Sequence, residues 1–307
     1  MNEYRHQPVM TAEVLEGLKV RPGGTYLDAT MGEGGHSGPM VEACLPGGRV
    51  LGLDADPSVV SIAAQRLERF RGSFEARAGN YADLKCIAAD ARLRELNGAL
   101  FDLGFSSRQI DDPARGFSFQ GDGPLDMRFD TRQALTADEI VNAWPEADLA
   151  QTIRDYGEEP RARRIAAAIV RGRPVKSTVG LAAIVSKASG GGRRRIHPAT
   201  RTFQALRMRV NRELDNLGVG LEGAVDLLAE GGRLVVITYH SLEAALVKSF
   251  LRRESGGCVC PAEQPVCTCG RVRRMRRITR KAIAPGMEEV TGNPRARSAR
   301  LRVGERV

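Results

Sequence analysis

Apolar and polar positions alternate with two different periods along the first hundred residues. Short apolar runs predict strands, and stretches with an apolar residue every three to four positions predict the helices between them. Alternation of this kind builds a parallel sheet with helices on its faces, so we predict an α/β fold. The strands are predicted at 25–30, 49–56, 73–79 and 98–107, and the helices at 11–20, 39–45, 57–70 and 81–93.

The alternation stops near residue 109. A polar, loop-like stretch covers 109–130, and from there to residue 217 the pattern is mainly helical, its last predicted helix covering 199–217. A strand pattern then returns at 231–242. We therefore predict a discontinuous α/β domain formed by 1–108 and 218–307. The segment 109–217 is predicted to be an inserted, mainly helical domain that recognises the substrate.

Charge is distributed unevenly between the two halves of the chain. The net charge is +9, yet residues 1–150 sum to −8 and residues 151–307 to +17. Two basic runs, 271–281 and 293–302, could be solvated tails, but in an enzyme-like chain they favour contact with RNA or DNA. No apolar stretch approaches the ~20 residues that cross a bilayer. Six cysteines are too few for a secreted disulfide scaffold, so we expect a cytoplasmic protein that does not enter a membrane.

A glycine-rich loop follows the first predicted strand. Residues 28–38 are DATMGEGGHSG, and Asp54 ends the second strand. Glycines let the backbone approach a ligand, and an acid about 20 residues further on can accept hydrogen bonds from ribose hydroxyls, so a nucleoside cofactor is predicted. The glycine spacing departs from the dinucleotide pattern. Asp28 would repel a pyrophosphate but could receive an ammonium group, which favours S-adenosylmethionine over a nicotinamide cofactor. Asp54 could instead cap the next helix, although Asp56 suits that role better.

Asp102 ends the fourth predicted strand, within FDLGFSS. Catalytic groups of open α/β sheets gather at the carboxyl ends of strands. We therefore expect Asp102 beside the cofactor's methyl group. Methyl transfer depends mainly on aligning donor and acceptor, and a carboxylate could accept a hydrogen bond from an exocyclic amine and orient its lone pair. The alternative is that Asp102 only braces its loop.

Longer strings of this sequence resemble the bacterial small-subunit ribosomal RNA methyltransferase H family. The resemblance implies a class I (Rossmann-like) methyltransferase domain with a helical insertion. It also implies S-adenosylmethionine-dependent methylation of N4 of a cytidine in the decoding region of 16S rRNA, so that the small ribosomal subunit would be the partner. The matching strings are HQPVM at 6–10, DATMGEGGHS at 28–37, DLGFSS at 102–107, RGFSF at 115–119, GPLDMRFD at 123–130, YGEE at 156–159, TRTFQALRMRVNREL at 200–214, YHSLE at 239–243 and NPRARSARLR at 293–302.

The resemblance implies site residues as well. Asp102 would be both a catalytic residue and a cofactor contact, and no metal is implied. The Tyr81 ring could flank adenine, although ordinary core packing is an equal alternative. The full set of implied cofactor contacts is Gly34, Gly35, His36, Asp54, Tyr81, Asp102 and Gln109.

The sequence also departs from the family pattern FHSLED. Ala244 stands where the family has an acid, and Tyr239 stands for Phe. The loss of the acid leaves open a catalytically weak RNA-binding assembly factor that retains the cofactor fold. His240 and Glu243 are candidates for the cytidine pocket, with a structural role as the alternative for His240.

The cysteines divide into two groups. Four of them are spaced C-x-C-x6-C-x-C, and they could bind zinc or belong to a surface insert with reduced thiols. The remaining two, Cys44 and Cys86, lie in apolar helical patterns and are expected to be buried. The four closely spaced residues are Cys258, Cys260, Cys267 and Cys269.

Overall fold

A computed structural model describes residues 8–104, 107–190, 197–256, 260, 264, 266, 268 and 272–307. The chain divides into two compact units. The first unit combines Met1–Gly104 with Leu214–Val307, and the second is Phe105–Glu213. The predicted domain boundaries, after residues 108 and 217, lie a few residues beyond these divisions.

The first unit is built on one seven-stranded sheet of order β3-β2-β1-β4-β5-β7-β6. Strands β1 to β5 are parallel, and β7 lies antiparallel between β5 and β6. This topology confirms the predicted class I methyltransferase fold. The strands are β1 (Thr25–Asp28), β2 (Arg49–Asp54), β3 (Phe74–Ala78), β4 (Leu96–Asp102), β5 (Leu228–Thr238), β6 (Met275–Arg277) and β7 (Arg300–Arg306).

The helices occur in both units, and α1–α4 and α11–α13 belong wholly or almost wholly to the first. They are α1 (Thr11–Leu18), α2 (Ser37–Cys44), α3 (Pro57–Arg66), α4 (Leu84–Asp90), α5 (Ser107–Asp111), α6 (Ala137–Ala143), α7 (Glu146–Gly157), α8 (Ala162–Arg171), α9 (Thr178–Ala188), α10 (Thr200–Val210), α11 (Glu213–Leu227), α12 (Ser241–Ser255) and α13 (Met287–Gly292). None of the helices within the described ranges has the length and apolar character needed to cross a bilayer.

The two faces of the sheet carry separate apolar cores. Because side chains alternate along a strand, Tyr26 and Leu27 of β1 point to opposite faces. One core packs α4, α11 and α12 against Leu27 and Phe101. The other packs α1 and α2 against Tyr26 and Leu100. The strand order reverses at β1, which pairs with both β2 and β4. The carboxyl ends of β1 and β4 therefore form the switch point where open α/β sheets bind ligands.

The second unit has its own core. It packs α6 to α10 together with three buried residues of the polar stretch before α6, namely Phe117, Leu125 and Met127. This stretch has little regular structure, as predicted, but its backbone is held from within the unit. Asn211 accepts a hydrogen bond from Phe129 N at 2.8 Å and donates one to Met127 O at 2.8 Å.

One predicted helix is wrong, and the tail alternative for the run 293–302 is excluded. The helix predicted over 199–217 is broken between α10 and α11, where Arg212 has a φ of +50°. The basic run 293–302 is not a solvated tail, because its last residues begin β7, in which Leu301 and Val303 are buried. The run 271–281 likewise contributes β6.

The structure tests the predicted burial of two cysteines. Cys44 is buried, as predicted, but Cys86 is exposed, because it lies on the outward side of α4. Cys258, Cys267 and Cys269 lie outside the described residues, so the zinc alternative stays a prediction.

Candidate functional site

The glycine-rich loop lies at the carboxyl edge of the sheet, between β1 and α2. Its backbone is fastened to the end of β2, since Met31 N donates to Leu53 O at 2.7 Å and Gly32 N donates to Asp54 Oδ2 at 2.9 Å. Gly34 has a φ of +82°, and a Cβ there would lie 2.9 Å from Leu67 Cδ1. Both the left-handed backbone and the close packing require glycine at this position.

Asp28 supports this loop from inside. It is 1% exposed, and its carboxylate accepts hydrogen bonds from Ser37 Oγ at 2.7 Å and from Thr30 N at 3.3 Å. Burial raises the pKa of Asp28 above its usual range, although His36 and Ser37 oppose this shift. From the sequence, Asp28 could receive an ammonium group of the cofactor. In this structure its oxygens instead bind the loop and the first residue of α2.

Asp54 is placed to face a ligand. Its two oxygens accept hydrogen bonds from Gly32 N and Asp56 N, both at 2.9 Å, which leaves one further acceptor position on each oxygen. Burial raises its pKa to about 6 despite these two hydrogen bonds. The alternative role as a helix cap belongs to Asp56, whose carboxylate accepts a hydrogen bond from Ser58 N.

Asp102 and His36 meet at the same edge. His36 Nε2 lies 3.4 Å from Asp102 Oδ2. His36 is 6% exposed, and neither of its ring nitrogens has a hydrogen-bond partner among the described residues. Burial lowers the pKa of His36, but the carboxylates of Asp102 and Asp28 outweigh it, so the net pKa is raised. A buried nitrogen without a partner indicates that a ligand or water completes this site.

Tyr81 lies beyond the end of β3, in a short 3₁₀ turn. Its ring contacts Phe101 edge to face, with the ring centroids 5.6 Å apart. The preceding backbone is joined to β2, because Gly79 N donates to Asp54 O at 2.9 Å. The tyrosine is only partly buried, so it retains ring surface for a ligand. Gln109, in contrast, lies in α5 of the second unit, with its side chain buried.

Two contacts of Asp102 were not predicted from the sequence. Tyr239, which stands where the family pattern has Phe, donates its hydroxyl hydrogen to Asp102 Oδ1 at 2.8 Å. Thr30 accepts a hydrogen bond from Asp102 N at 2.7 Å. Tyr239 directly follows a buried strand, and this position was the only signal available in the sequence.

His240 and Glu243 have a structural role in this unit. Glu243 N donates to His240 Nδ1 at 3.4 Å, and the Glu243 carboxylate accepts from His240 N, which together form a capping box for α12. Glu243 is 3% exposed. These contacts favour the structural alternative for His240 over a place in a cytidine pocket.

Several arginines of the basic runs are used within the first unit. Arg274 forms ion pairs with Glu254 and Asp226, each at 2.7 Å, and Arg276 pairs with Glu305. Other basic residues nearby are exposed, namely Arg277, Arg280 and Lys281. In the second unit, four exposed arginines line a shallow cavity at the start of α8: Arg154, Arg161, Arg163 and Arg164.

The site fits S-adenosylmethionine better than a nicotinamide dinucleotide. Asp54 offers acceptors for ribose hydroxyls, Tyr81 offers a ring for adenine, and the buried His36 nitrogens need polar partners. The glycine loop contains no lysine or arginine to receive a pyrophosphate, and Asp28 lies buried just behind it.

Comparison with known proteins identifies the family. Residues 3–307 match the model of the MraW methylase family. Three relatives, each named ribosomal RNA small subunit methyltransferase H, come from Dehalococcoides mccartyi (50% identical; 100% of this chain and 88% of the relative), Thermomicrobium roseum (52%; 98% and 94%) and Geobacter sulfurreducens (47%; 99% and 99%). Among solved structures, an rRNA methylase from Streptococcus thermophilus aligns with a TM-score of 0.43 at 12% identity, over 96% of this chain and 95% of that one. The chain belongs to the MraW methylase family.

Proposed function

We propose that this protein transfers the methyl group of S-adenosylmethionine to N4 of a cytidine in 16S rRNA of the small ribosomal subunit. One observation carries the proposal. In a chain of the MraW methylase family, the glycine loop, Asp54 and Asp102 meet at the switch point of the sheet. The names of the relatives support ribosomal RNA as the substrate. The cytoplasm is then the site of action, because the ribosomal subunit is there.

The cofactor contacts are assigned by chemistry. The carboxylate of Asp54 would accept hydrogen bonds from the ribose hydroxyls. Gly34 and Gly35 would let the loop backbone lie against the cofactor, and the Tyr81 ring would stack on adenine. A buried ring nitrogen of His36 would form a hydrogen bond with a polar group of the ligand. Gln109, in the second unit, stays a contact that only the family resemblance implies.

Asp102 would act on the acceptor base. S-adenosylmethionine supplies an electrophilic methyl group on a sulfonium. As the cytosine N4–C bond forms, the S–C bond breaks, and N4 must lose one proton, which water can accept. The carboxylate of Asp102 would accept a hydrogen bond from the other N4–H and so hold the amine in line with the methyl group.

RNA binding would rest mainly on phosphate contacts. The exposed arginines at the start of α8, and the exposed basic residues after β6, are each suited to this role within their own units. Arg163 and Arg164 have no ion-pair partner among the described residues. The target cytidine would have to leave its stack to reach Asp102.

Transfer of labelled methyl groups tests the proposal. The protein and labelled S-adenosylmethionine are incubated with small subunits that lack this modification, and the product nucleoside is identified by mass spectrometry. N4-methylcytidine is expected. Bound cofactor without transfer to subunits or naked 16S rRNA would instead support the weak assembly factor, and Ala244→Asp would then be the first reversion to test.

A further inference from the structure

Tyr239 connects the end of β5 to the carboxylate at the end of β4. Its hydroxyl donates to Asp102 Oδ1 at 2.8 Å, between residues that are 137 positions apart in the chain. The two strands are paired in parallel, with Asp102 opposite Ile237. Tyr239 therefore reaches the carboxylate from the neighbouring strand, within the plane of the sheet edge.

Tyr239 is itself held firmly. Its backbone N–H donates to Glu243 Oε2 at 2.8 Å, and Glu243 is buried in the first turn of α12. Its ring lies against Gly104, where a Cβ would approach Tyr239 Cε2 to 3.0 Å. Glu243 of α12 thus fixes the backbone of Tyr239, and Gly104, after β4, packs against its ring; together they position the hydroxyl.

The carboxylate of Asp102 is held from two sides. Tyr239 contacts Oδ1, and His36 Nε2 lies 3.4 Å from Oδ2. Each carboxylate oxygen can accept about two hydrogen bonds. Since Tyr239 occupies one position on Oδ1, at least one position on each oxygen remains available to a ligand.

The electrostatics favour a lasting contact. Burial, followed by the negative charge of Asp102 and then of Glu243, raises the pKa of the Tyr239 hydroxyl far above its ordinary value. The hydroxyl therefore stays protonated and acts as a donor at any working pH. A hydrogen bond from a neutral donor to an ionised carboxylate is about twice as strong as one between neutral groups.

We propose that Tyr239 is a positioning residue for methyl transfer: its hydroxyl orients the ionised carboxylate of Asp102 so that the free acceptor positions meet the substrate amine. This inference rests on the proposed function, in which Asp102 accepts a hydrogen bond from N4–H. The same role gives buried Glu243 an indirect part in the site. Glu243 fixes the backbone from which the tyrosine extends.

The experiment compares Tyr239→Phe with a matched control, Tyr26→Phe. Tyr26 is a buried tyrosine of β1 whose hydroxyl accepts from Arg21 N at 2.9 Å and donates to Lys19 O, away from the carboxyl edge. Both variants lose one buried hydroxyl and should melt at similar temperatures. Tyr239→Phe should lower kcat about tenfold, with KM for the small subunit changed less than about twofold, because it removes a hydrogen bond to a charged group. Tyr26→Phe should keep the parent kcat.

A double-mutant cycle with Asp102→Asn locates the effect. In the Asp102→Asn background, removing the Tyr239 hydroxyl should change kcat less than about twofold, since the carboxylate it orients is gone. An unchanged kcat in Tyr239→Phe, or an equal loss in both backgrounds, would overturn the proposal. If the parent itself transfers no methyl group, the proposed function fails. The affinities of the parent, the two single variants and the double variant for S-adenosylmethionine are then measured by calorimetry. Coupling between the two positions in cofactor affinity would support the positioning role, and additivity would overturn it.

Discussion

The raised pKa of Asp54 makes folding and cofactor binding respond to pH in opposite directions. The perturbation is a change from pH 7.5 to 5.0, measured on the parent and on Asp54→Asn. In the folded protein the pKa of Asp54 is raised from 3.8 to about 6. The folded protein therefore binds this proton more tightly than the unfolded chain. The resulting stability is fully present below about pH 3.8 and is lost as the pH rises through about 6.

The magnitude follows from the shift of about two pKa units. Over the whole range it corresponds to about 3 kcal/mol, at 1.36 kcal/mol per unit. Between pH 7.5 and 5.0 the parent apoprotein should gain about 1 kcal/mol of unfolding free energy from this group alone. Asp28, whose pKa is also raised, acts in the same direction but is common to the parent and the variant.

Cofactor binding should show the reverse trend. Ribose hydroxyls donate best to an ionised carboxylate, and at pH 5.0 only about one apoprotein molecule in ten carries an ionised Asp54. The affinity of the parent for S-adenosylmethionine should therefore fall about tenfold between pH 7.5 and 5.0. The affinity of Asp54→Asn for S-adenosylmethionine should be lower than that of the parent at pH 7.5, and it should change little between pH 7.5 and 5.0.

Urea unfolding of the apoproteins and calorimetric titration with S-adenosylmethionine measure the two effects. Asp90→Asn, which alters an exposed carboxylate at the end of α4, is the matched control and should follow the parent in both. The reasoning fails if the parent and Asp54→Asn gain the same unfolding free energy on acidification. It fails equally if the affinity of the parent does not change across this range.

Three further outcomes are expected. Replacing Arg163 and Arg164 by Gln should flatten the salt dependence of RNA binding by about two units of log–log slope and leave cofactor affinity unchanged; equal slopes for parent and variant in filter binding would contradict a phosphate role. Tyr81→Ala should weaken S-adenosylmethionine binding about tenfold or more, whereas Tyr81→Phe, which keeps the ring, should match the parent in calorimetry. Asn211→Ala should destabilise the second unit by about 2–4 kcal/mol, because buried backbone groups of the polar stretch lose their partner; a proteolysis pattern identical to that of the parent would argue against this.

Local sequence signals sufficed for much of the sheet. Five strands, β1 to β5, were located from their patterns, as were the turn of glycines after β1 and the cap at Asp56. These features depend on neighbours in the chain, so they can be recognised within short windows. The alternation of Leu301 and Val303 in β7 was also present, but the arginines around them gave the segment the composition of a tail.

Contacts set by strand order could not be foreseen in the same way. The approach of His36 to Asp102, and the hydrogen bond from Tyr239, require knowing that β1, β4 and β5 are adjacent. The break between α10 and α11 is similar, because the Asn211 side chain, which also donates to Arg207 O of α10, is held by the distant backbone of Met127 and Phe129. Here tertiary contacts override a continuous helical pattern.

The connection from β4 to β5 is long, but its length costs the fold little stability. These adjacent strands are joined by about 125 residues that include the whole second unit, whereas α11 alone with short loops would need about 25. The entropy of closing a flexible chain grows only with the logarithm of its length, so a fivefold longer connection adds about 1.4 kcal/mol at most. Since the second unit has a separate core, its own folding shortens the effective loop further. The second unit can therefore be enlarged, exchanged or trimmed at this crossover with little effect on the stability of the sheet that holds the cofactor.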